Sequence, residues 1–541
     1  MKKILSLVLS ALLLTGCTSN TITEVTGQTV SATHASPDTP SAPQEAPAWE
    51  YVSRFNTVTE ILLSDEGITV NGGEEAGTVF TSRDIIYYEN RNEYDSGNPY
   101  GEGTDADMHT AEEASAHTVV NITKPGAYCI SGNLSAGQIR IDLGKDACED
   151  PNAVVELILH NADITCTVAP ALLFLNTYEC DGSWSTETAQ AEVDTSAAGA
   201  NLILEGENTI NGSYVAKIFK DQDGEKKLWK QDGAIYSYMS MNVFGPGSLE
   251  LNAANEGMDT ELHLTVNGGD ITINSDNDGI NTNEDGVSVT TINGGNLTIF
   301  AGLGAEGDGI DSNGYLVING GTVVSAANPA ADAGLDSDLG SFINGGTVIA
   351  FGSTMDWAES DSNQVTINLQ FARQQAAGSE ISITTEDGTE IFSFTPSGES
   401  IRGFSGLILS DPSLKQGDTY SVYVDATQMS YTGTDVMRGP GGFGGHPGSP
   451  PEGMNPENMP KGFDPEKMPE SFDPSQTGNR GPRPDEENRT PPEGFDDRFP
   501  EGMDPAKIPF YNHPNMSSGE HYTGFFMNDM VNFFSGITTA Q

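Results

Sequence analysis

Residues 308–325 read DGIDSNGYLVINGGTVVS, and this stretch decides the fold. It joins a Gly-apolar-Asp-Ser turn to an Asn-Gly-Gly triplet, and alternating β-branched residues follow the triplet. The triplet recurs with its asparagine at Asn267, Asn293, Asn319 and Asn344, at spacings of 26, 26 and 25 residues. A period near 25 residues is typical of a stacked array in which each repeat packs on the next.

Each repeat is predicted to contain about three short strands. Apolar and β-branched residues alternate with polar ones after every triplet, at residues 270–273, 296–299, 322–325 and 347–350, and this alternation is a strand signal. No segment with helical periodicity separates the strands. The sequence therefore predicts an all-β protein built on a right-handed parallel β-helix. Because coils stack about 4.8 Å apart, equivalent positions are expected to form rows, and the triplet asparagines to bond along one of them.

Segments of different composition flank the repeats, and they predict the domain organisation. The predicted segments are a lipoprotein signal peptide (1–17), a flexible tether (18–48), an N-terminal cap region (49–119), the parallel β-helix (120–353), a small β-sandwich-like domain (354–434), a disordered Pro/Gly/Met-rich segment (435–515) and a C-terminal strand that rejoins the β domain (516–541).

The N-terminus has the features of a bacterial export signal. Two lysines precede an apolar run at residues 4–14, which is shorter than the roughly 20 residues needed to span a bilayer. The sequence Leu14-Thr15-Gly16-Cys17 resembles a lipobox, so Cys17 is predicted to carry a lipid that holds the protein outside the cell. The alternative is an ordinary secretory signal with an incidental cysteine.

The charge of the chain restricts its partners. It carries 78 acidic and 24 basic residues, a net charge of −54. Such a surface repels nucleic acid and anionic lipid headgroups, so membrane contact is expected only through the lipid anchor. Cations, or polymers bridged by cations, are the expected partners.

Stacking of the repeats predicts a metal site. Residues 231–372 contain 19 acidic residues and neither lysine nor arginine, so stacked carboxylates would repel one another without a local cation. Calcium prefers oxygen ligands in irregular geometry. The alternative is a solvated acidic face, and Asn281 and Asn283 dilute the rows that follow the Gly-apolar turn. Of the acids in this stretch, Asp259, Asp311 and Asp336 belong to the row that follows the Gly-apolar turn and are expected to point outward. The predicted calcium ligands are Glu256, Asp259, Asp276, Asp278, Asp308, Asp311, Asp336 and Asp338.

Other chemistry is sparse, and no catalytic residue is predicted. The motifs of zinc proteases, of serine hydrolases with a nucleophile elbow and of P-loop enzymes are missing from the sequence. His160 and His263 are predicted to be structural or surface residues. Two disulfides and free buried thiols are equally compatible with four cysteines, namely Cys129, Cys148, Cys166 and Cys180.

Two groups of residues carry a family resemblance. Residues 125–139 (PGAYCISGNLSAGQI) and the Asp-Gly-Ile turns at Asp278 and Asp308, followed by Asn-Gly-Gly, resemble a bacterial carbohydrate-binding β-helix family. The resemblance covers about residues 50–434 and the last 20 residues. It implies an extracellular protein of the kind found in plant-biomass-degrading clostridia, with a pectate-lyase-like fold, bound calcium, and affinity for polygalacturonate and cellulosic material.

Three functions follow from these observations. The first is a surface-tethered protein that binds acidic plant polysaccharide through calcium, without catalysis. The second is a lyase or glycoside hydrolase acting on pectin, with Asp276 and Asp278 as an acid pair in the hydrolase case. The third is a structural adhesin. Tyr236, Tyr315 and Trp357 are either sugar-stacking platforms or packing residues.

Overall fold

The computed structural model describes residues 51–74, 77–88, 106–182, 185–222, 225–353, 356–396, 402–434 and 521–540. The predicted signal peptide with Cys17, the tether and the segment 435–515 lie outside these residues. Within them the protein is nearly all β, and its α-helix, α1 (Ala111–Ala116), has six residues. No helix in the described ranges has the length and apolar character needed to cross a membrane.

Thirty-five strands make up the described structure, and fifteen of them precede the regular repeats. They are β1 (Val58–Ser64), β2 (Gly67–Val70), β3 (Val79–Ser82), β4 (Thr118–Ile122), β5 (Gly126–Leu134), β6 (Gly137–Asp142), β7 (Val155–Thr165), β8 (Leu172–Asn176), β9 (Ala200–Glu205), β10 (Glu207–Gly212), β11 (Val215–Gln222), β12 (Glu225–Gln231), β13 (Gly233–Ser237), β14 (Met241–Phe244) and β15 (Ser248–Ala253).

The repeats contribute three strands each, as the alternation predicts. They are β16 (Glu256–Thr260), β17 (Leu264–Val266) and β18 (Asp270–Ser275); β19 (Ile280–Thr282), β20 (Val289–Ile292) and β21 (Asn296–Phe300); β22 (Ile310–Ser312), β23 (Tyr315–Ile318) and β24 (Thr322–Ala326); and β25 (Leu335–Ser337), β26 (Gly340–Ile343) and β27 (Thr347–Gly352).

Corresponding strands of successive repeats pair in parallel and form three runs. The first run passes from β4 through β6, β8, β13, β16, β19 and β22 to β25. The second connects β9, β14, β17, β20, β23 and β26, and the third connects β10, β15, β18, β21, β24 and β27. Both begin on β7, which pairs with β9 and with β10. The repeats therefore stack in register, and the right-handed winding stays a prediction.

The triplet asparagines form the expected ladder. The side-chain amide of Asn293 donates to Oδ1 of Asn267 at 2.9 Å, Asn319 donates to Asn293 at 2.9 Å, and Asn344 donates to Asn319 at 3.0 Å. Asn363, which belongs to no triplet, ends the ladder by donating to Asn344 at 2.8 Å. This ladder links the repeats along the stack.

Two glycine positions serve different purposes. The last glycine of each triplet has a positive φ, for example 87° at Gly295 and 83° at Gly321, which a residue with a side chain rarely adopts. The glycine of the Gly-apolar turn is needed for space. A Cβ on Gly309 would lie 1.9 Å from Oγ of Ser325 and 2.4 Å from the carbonyl oxygen of Gly334.

The last strands form a mainly antiparallel region, in which β28 and β35 pair in parallel, and this region has its own hydrophobic core. They are β28 (Thr366–Gln375), β29 (Ile381–Thr385), β30 (Glu390–Phe394), β31 (Phe404–Ser410), β32 (Thr419–Val424), β33 (Thr427–Ser430), β34 (Phe525–Phe526) and β35 (Val531–Thr539). Strand β31 pairs with both β27 and β28. Strand β35, near the C-terminus, pairs with β28 and β33. At the other end of the stack, β1 pairs with β5.

The cysteines do not form two disulfides among the four predicted. Cys148, Cys166 and Cys180 are free thiols, so that alternative is wrong. Cys166 is buried, and burial raises the pKa of its thiol to about 11.

Candidate cation site

The first run of strands aligns carboxylates from different repeats in two rows. Asp259 pairs with Asn281, Asn281 with Asp311, and Asp311 with Asp336. Since Met258 pairs with Ile280 and Ile280 with Ile310, the same register places Glu256, Asp278 and Asp308 in a second row. Residues far apart in the sequence thus become neighbours because the repeats stack in register.

The row residues are more buried than the alternation predicts. Asp259 is 0% exposed and Asn281 6% exposed, and Asp311 and Asp336 are half-buried. The row alternates with the fully buried Met258, Ile280, Ile310 and Leu335, so it lies on the opposite face of the strands, but this face is partly covered and not freely open to solvent. A carboxylate in this setting loses its water shell, so it needs a cation, a hydrogen-bond donor or a proton.

Three carboxylates converge at the start of the row. Asp232, Glu256 and Asp259 each offer one ligand oxygen, and these oxygens lie within 4.8 Å of one another. Asp232 comes just before β13, and Glu256 and Asp259 lie on the neighbouring strand β16. We call Asp232, Glu256 and Asp259 the acidic cluster.

Lysine 230 provides a cation that the sequence reasoning did not place here. Its Nζ lies 3.1 Å from Oδ2 of Asp232 and donates to Oδ1 of Asn283 at 2.5 Å. Its side chain is 23% exposed. Burial lowers the pKa of Lys230, but the surrounding carboxylates, Asp232 first and then Asp259, Glu256 and Glu261, raise it well above the usual value. Lys230 is therefore protonated, and the expectation that no cation lies nearby is wrong.

One lysine does not satisfy the acidic cluster. Within the described residues, Oε2 of Glu256, Oδ2 of Asp259 and Oδ1 of Asn281 are buried and have no hydrogen-bond partner. A buried acceptor without a partner is destabilising. These oxygens belong to side chains that are at most 6% exposed, and such an all-oxygen set is suited to a hard divalent cation.

The electrostatics of the cluster show the same shortage of positive charge. Burial, and then repulsion by Asp232, raises the pKa of Glu256 to about 7. Burial, and then repulsion by Glu256, raises the pKa of Asp259 well above its usual value, although Lys230 acts in the opposite direction. Without a further cation, protons bind to this site near neutral pH.

A second acidic group lies further along the rows. Burial, and then repulsion by Asp336, raises the pKa of Asp308 to about 8 and that of Asp311 well above its usual value. Burial, and then a hydrogen bond with Asp336, raises the pKa of Asp356 to about 9. Asp338 is exposed but adds to the repulsion on Asp311.

The remaining predicted ligands have other surroundings. Oδ1 of Asp278 accepts a hydrogen bond from the backbone N–H of Asp308 at 2.7 Å, and Oδ1 of Asp308 accepts one from the N–H of Ala333 at 2.5 Å. These two carboxylates therefore also join successive turns. Asp276 is exposed, whereas Asp278 is buried, so the two do not face solvent together as a hydrolase acid pair.

Two of the three proposed stacking platforms are packing residues. Tyr236 is fully buried and its hydroxyl donates to Glu261. Trp357 is buried and packs edge-on against Phe533, with ring centroids 6.1 Å apart. Tyr315 is half-buried near Phe342.

Sequence reasoning missed Lys230, Asp232 and Asp356. Asp232-Gly233-Ala234-Ile235 is a copy of the Gly-apolar turn, so the repeat contained the signal for Asp232, which directly precedes the glycine. Lys230 lies immediately before the stretch without basic residues. Asp356 follows the last repeat, so no periodicity marks it.

Comparison with known proteins identifies the family to which the chain belongs. The family model described as carbohydrate-binding domain-containing protein matches residues 116–391. A protein of the same description from Acetivibrio thermocellus is 31% identical over 155 residues, which are 28% of this chain and 44% of that protein. The chain thus spans less than half the length of this relative.

A solved structure, that of the polysaccharide lyase-like protein from C. thermocellum (gadolinium derivative), is 20% identical. The match covers 54% of this chain and 94% of that one at a TM-score of 0.31.

Proposed function

Because the chain belongs to the family of carbohydrate-binding domain-containing proteins, we propose that it binds an acidic plant polysaccharide through calcium and does not cleave it. The acidic cluster and its partnerless buried oxygens carry the calcium part of this proposal. The family carries the carbohydrate part.

The residues fit calcium in number and chemistry. Asp232, Glu256 and Asp259 would hold the ion, with Asn281 as a neutral oxygen ligand nearby. Calcium takes six to eight oxygens in flexible geometry, and three carboxylates that bind through one or both oxygens, together with water, supply such a set. When bound, the ion supplies positive charge among carboxylates that otherwise take up protons.

Calcium also offers a way for an acidic protein to hold an acidic polymer. The net charge of −54 repels a polyuronate such as polygalacturonate. A divalent ion with free coordination positions bridges a protein carboxylate and a uronate carboxylate. The half-buried Asp311 and Asp336 form a second candidate group for this contact.

A lyase is the second candidate, because a lysine lies beside the acidic cluster. Uronate elimination requires a group that removes a carbon-bound proton. In the ion-free site the surrounding carboxylates raise the pKa of Lys230 well above its usual value, so Lys230 holds its proton there and does not supply that base. An adhesin without sugar specificity is the third.

We also propose that the protein is held on the cell surface. Lipidation of Cys17 would anchor it, and the residues that follow would separate the anchor from a right-handed parallel β-helix. The membrane is then a partner only through the lipid.

Retention on immobilised polygalacturonate tests the proposed function. The purified full-length protein is passed over the polymer with calcium and with a chelator, while unsaturated and reducing-end products are measured. Retention that depends on calcium, without products, supports binding. Product formation overturns it in favour of an enzyme, and equal retention under both conditions overturns the role of calcium.

A further inference from the structure

The acidic cluster already contains a positively charged group. Lys230 is the penultimate residue of β12, and its Nζ contacts Asp232 at 3.1 Å and Asn283 at 2.5 Å. The proposed ion would take Asp232 as one of its ligands. The carboxylate of Asp232 is therefore a partner both for the ammonium of Lys230 and for the proposed ion.

The contacts of Lys230 are also uneven. Lys230 contacts Asp232 and Asn283, whereas Glu256 Oε2 and Asp259 Oδ2 have no hydrogen-bond partner in the described structure. The lysine thus neutralises the cluster only in part. This arrangement is expected of a cation that stabilises the carboxylates in the absence of the ion but leaves two of their oxygens for the ion.

We propose that the ammonium of Lys230 is a placeholder cation that competes with a divalent ion for Asp232 and so sets the affinity of the site. The inference rests on the proposed calcium site. When the ion binds Asp232, the ammonium of Lys230 moves away from this carboxylate, because a monovalent and a divalent cation a few Å apart repel each other. When the ion is removed, Lys230 returns to Asp232.

Calorimetric titration with calcium chloride tests the competition. The full-length protein is compared with Lys230→Met, which keeps the length of the side chain without its charge, and with Lys230→Arg, which keeps the charge. We expect calcium to bind Lys230→Met at least tenfold more tightly than the wild type, and Lys230→Arg within about threefold of the wild type. In chelator, Lys230→Met is expected to melt at a lower temperature, and calcium removes that difference.

The results distinguish a failure of the role of Lys230 from a failure of the calcium site. Tighter binding to Lys230→Met supports the inference, even if wild-type binding is too weak to measure, in which case the calcium part of the proposed function fails. Equal or weaker binding to Lys230→Met overturns the inference while the calcium site stands. Failure of all three proteins to bind calcium overturns both.

Amine labelling of the wild type provides a test that needs no variant. An amine-reactive ester is applied with and without calcium, and mass spectrometry measures modification of Lys230 relative to the exposed Lys145 and Lys415. Calcium is expected to increase labelling of Lys230 several-fold and to leave the two reference lysines unchanged. Unchanged or reduced labelling of Lys230 under saturating calcium would overturn its displacement.

Discussion

Asp311 and Asp336, one repeat apart in the sequence, are direct partners in the parallel pairing of β22 and β25. Carboxylates placed side by side by register remain charged only if a cation, a donor or water compensates them. The stacked fold therefore imposes an electrostatic demand on its own acidic rows.

The first prediction concerns the most buried ligand. Asp259→Asn removes one charge and one ligand, so calcium affinity is expected to fall at least tenfold in calorimetry. In chelator the variant is expected to be at least as stable as the wild type, because it no longer buries a carboxylate beside Glu256. The matched control is Asp276→Asn, which makes the same change at an exposed position and is expected to leave affinity unchanged. Equal losses in both variants would indicate diffuse attraction to an acidic face.

The second prediction concerns pH. The pKa values of Glu256, Asp308 and Asp356 are raised to about 7, 8 and 9, so the folded state binds protons more tightly than the unfolded state. Their protonated forms stabilise the fold at low pH, and this stabilisation is lost as pH rises from the ordinary carboxyl range through about 9.

Thermal melts between pH 4.5 and 9 measure this effect. In chelator the melting temperature is expected to fall as pH increases. Each carboxyl contributes a loss of up to about 1.4 kcal/mol in the free energy of unfolding per pH unit, at pH values between its unfolded and its folded pKa. With saturating calcium the part of the decline that comes from Glu256 is expected to flatten, because the ion replaces the proton on this ligand. A melting temperature that rises with pH in chelator would contradict the assigned burial of these acids.

The third prediction tests the asparagine ladder. Asn319→Ala removes the hydrogen bond to Asn293 and the one from Asn344, so the free energy of unfolding is expected to fall by about 1–2 kcal/mol. The control is Asn296→Ala at an exposed position of β21. If chemical denaturation gives the two variants the same stability, the ladder contributes nothing measurable.

The fourth prediction tests the packing of the Gly-apolar turns. Gly309→Ala introduces a Cβ that overlaps Ser325 and the backbone of Gly334, so neighbouring repeats must separate. We expect a loss of about 3 kcal/mol or more, since overpacking of a tight core typically costs 1–3 kcal/mol and backbone cannot move aside as a side chain does. Gly77→Ala, where a Cβ meets nothing within 4 Å, is the control and is expected to change stability little.

The sequence predicted the stacking well because the stacking is periodic. The triplets gave the repeat length, and the alternation gave three strands per repeat. The same periodicity placed Asp259, Asn281, Asp311 and Asp336 in one row. It did not reveal their burial, because alternation distinguishes two faces of a strand but not whether a neighbouring segment covers the outer face.

The parts of the site that sequence reasoning missed are the non-periodic ones. Lys230 lies on a hairpin strand outside the regular repeats, and Asp356 follows the last repeat. The positions of Lys230 and Asp356 depend on how irregular segments fold back onto the rows. The spacing of the repeats in the sequence contains no information about this folding. The sequence likewise did not exclude Tyr236 and Trp357 as sugar platforms, since burial of an aromatic residue depends on its tertiary neighbours.

Diffraction from crystals grown with calcium, with data collected to measure anomalous scattering, tests the central claim most directly. The account predicts an anomalous peak within about 2.3–2.6 Å of oxygens from Asp232, Glu256 and Asp259, with the ammonium of Lys230 turned away from Asp232. Calcium found only at exposed carboxylates such as Asp276, with the acidic cluster empty at a saturating concentration, would contradict it.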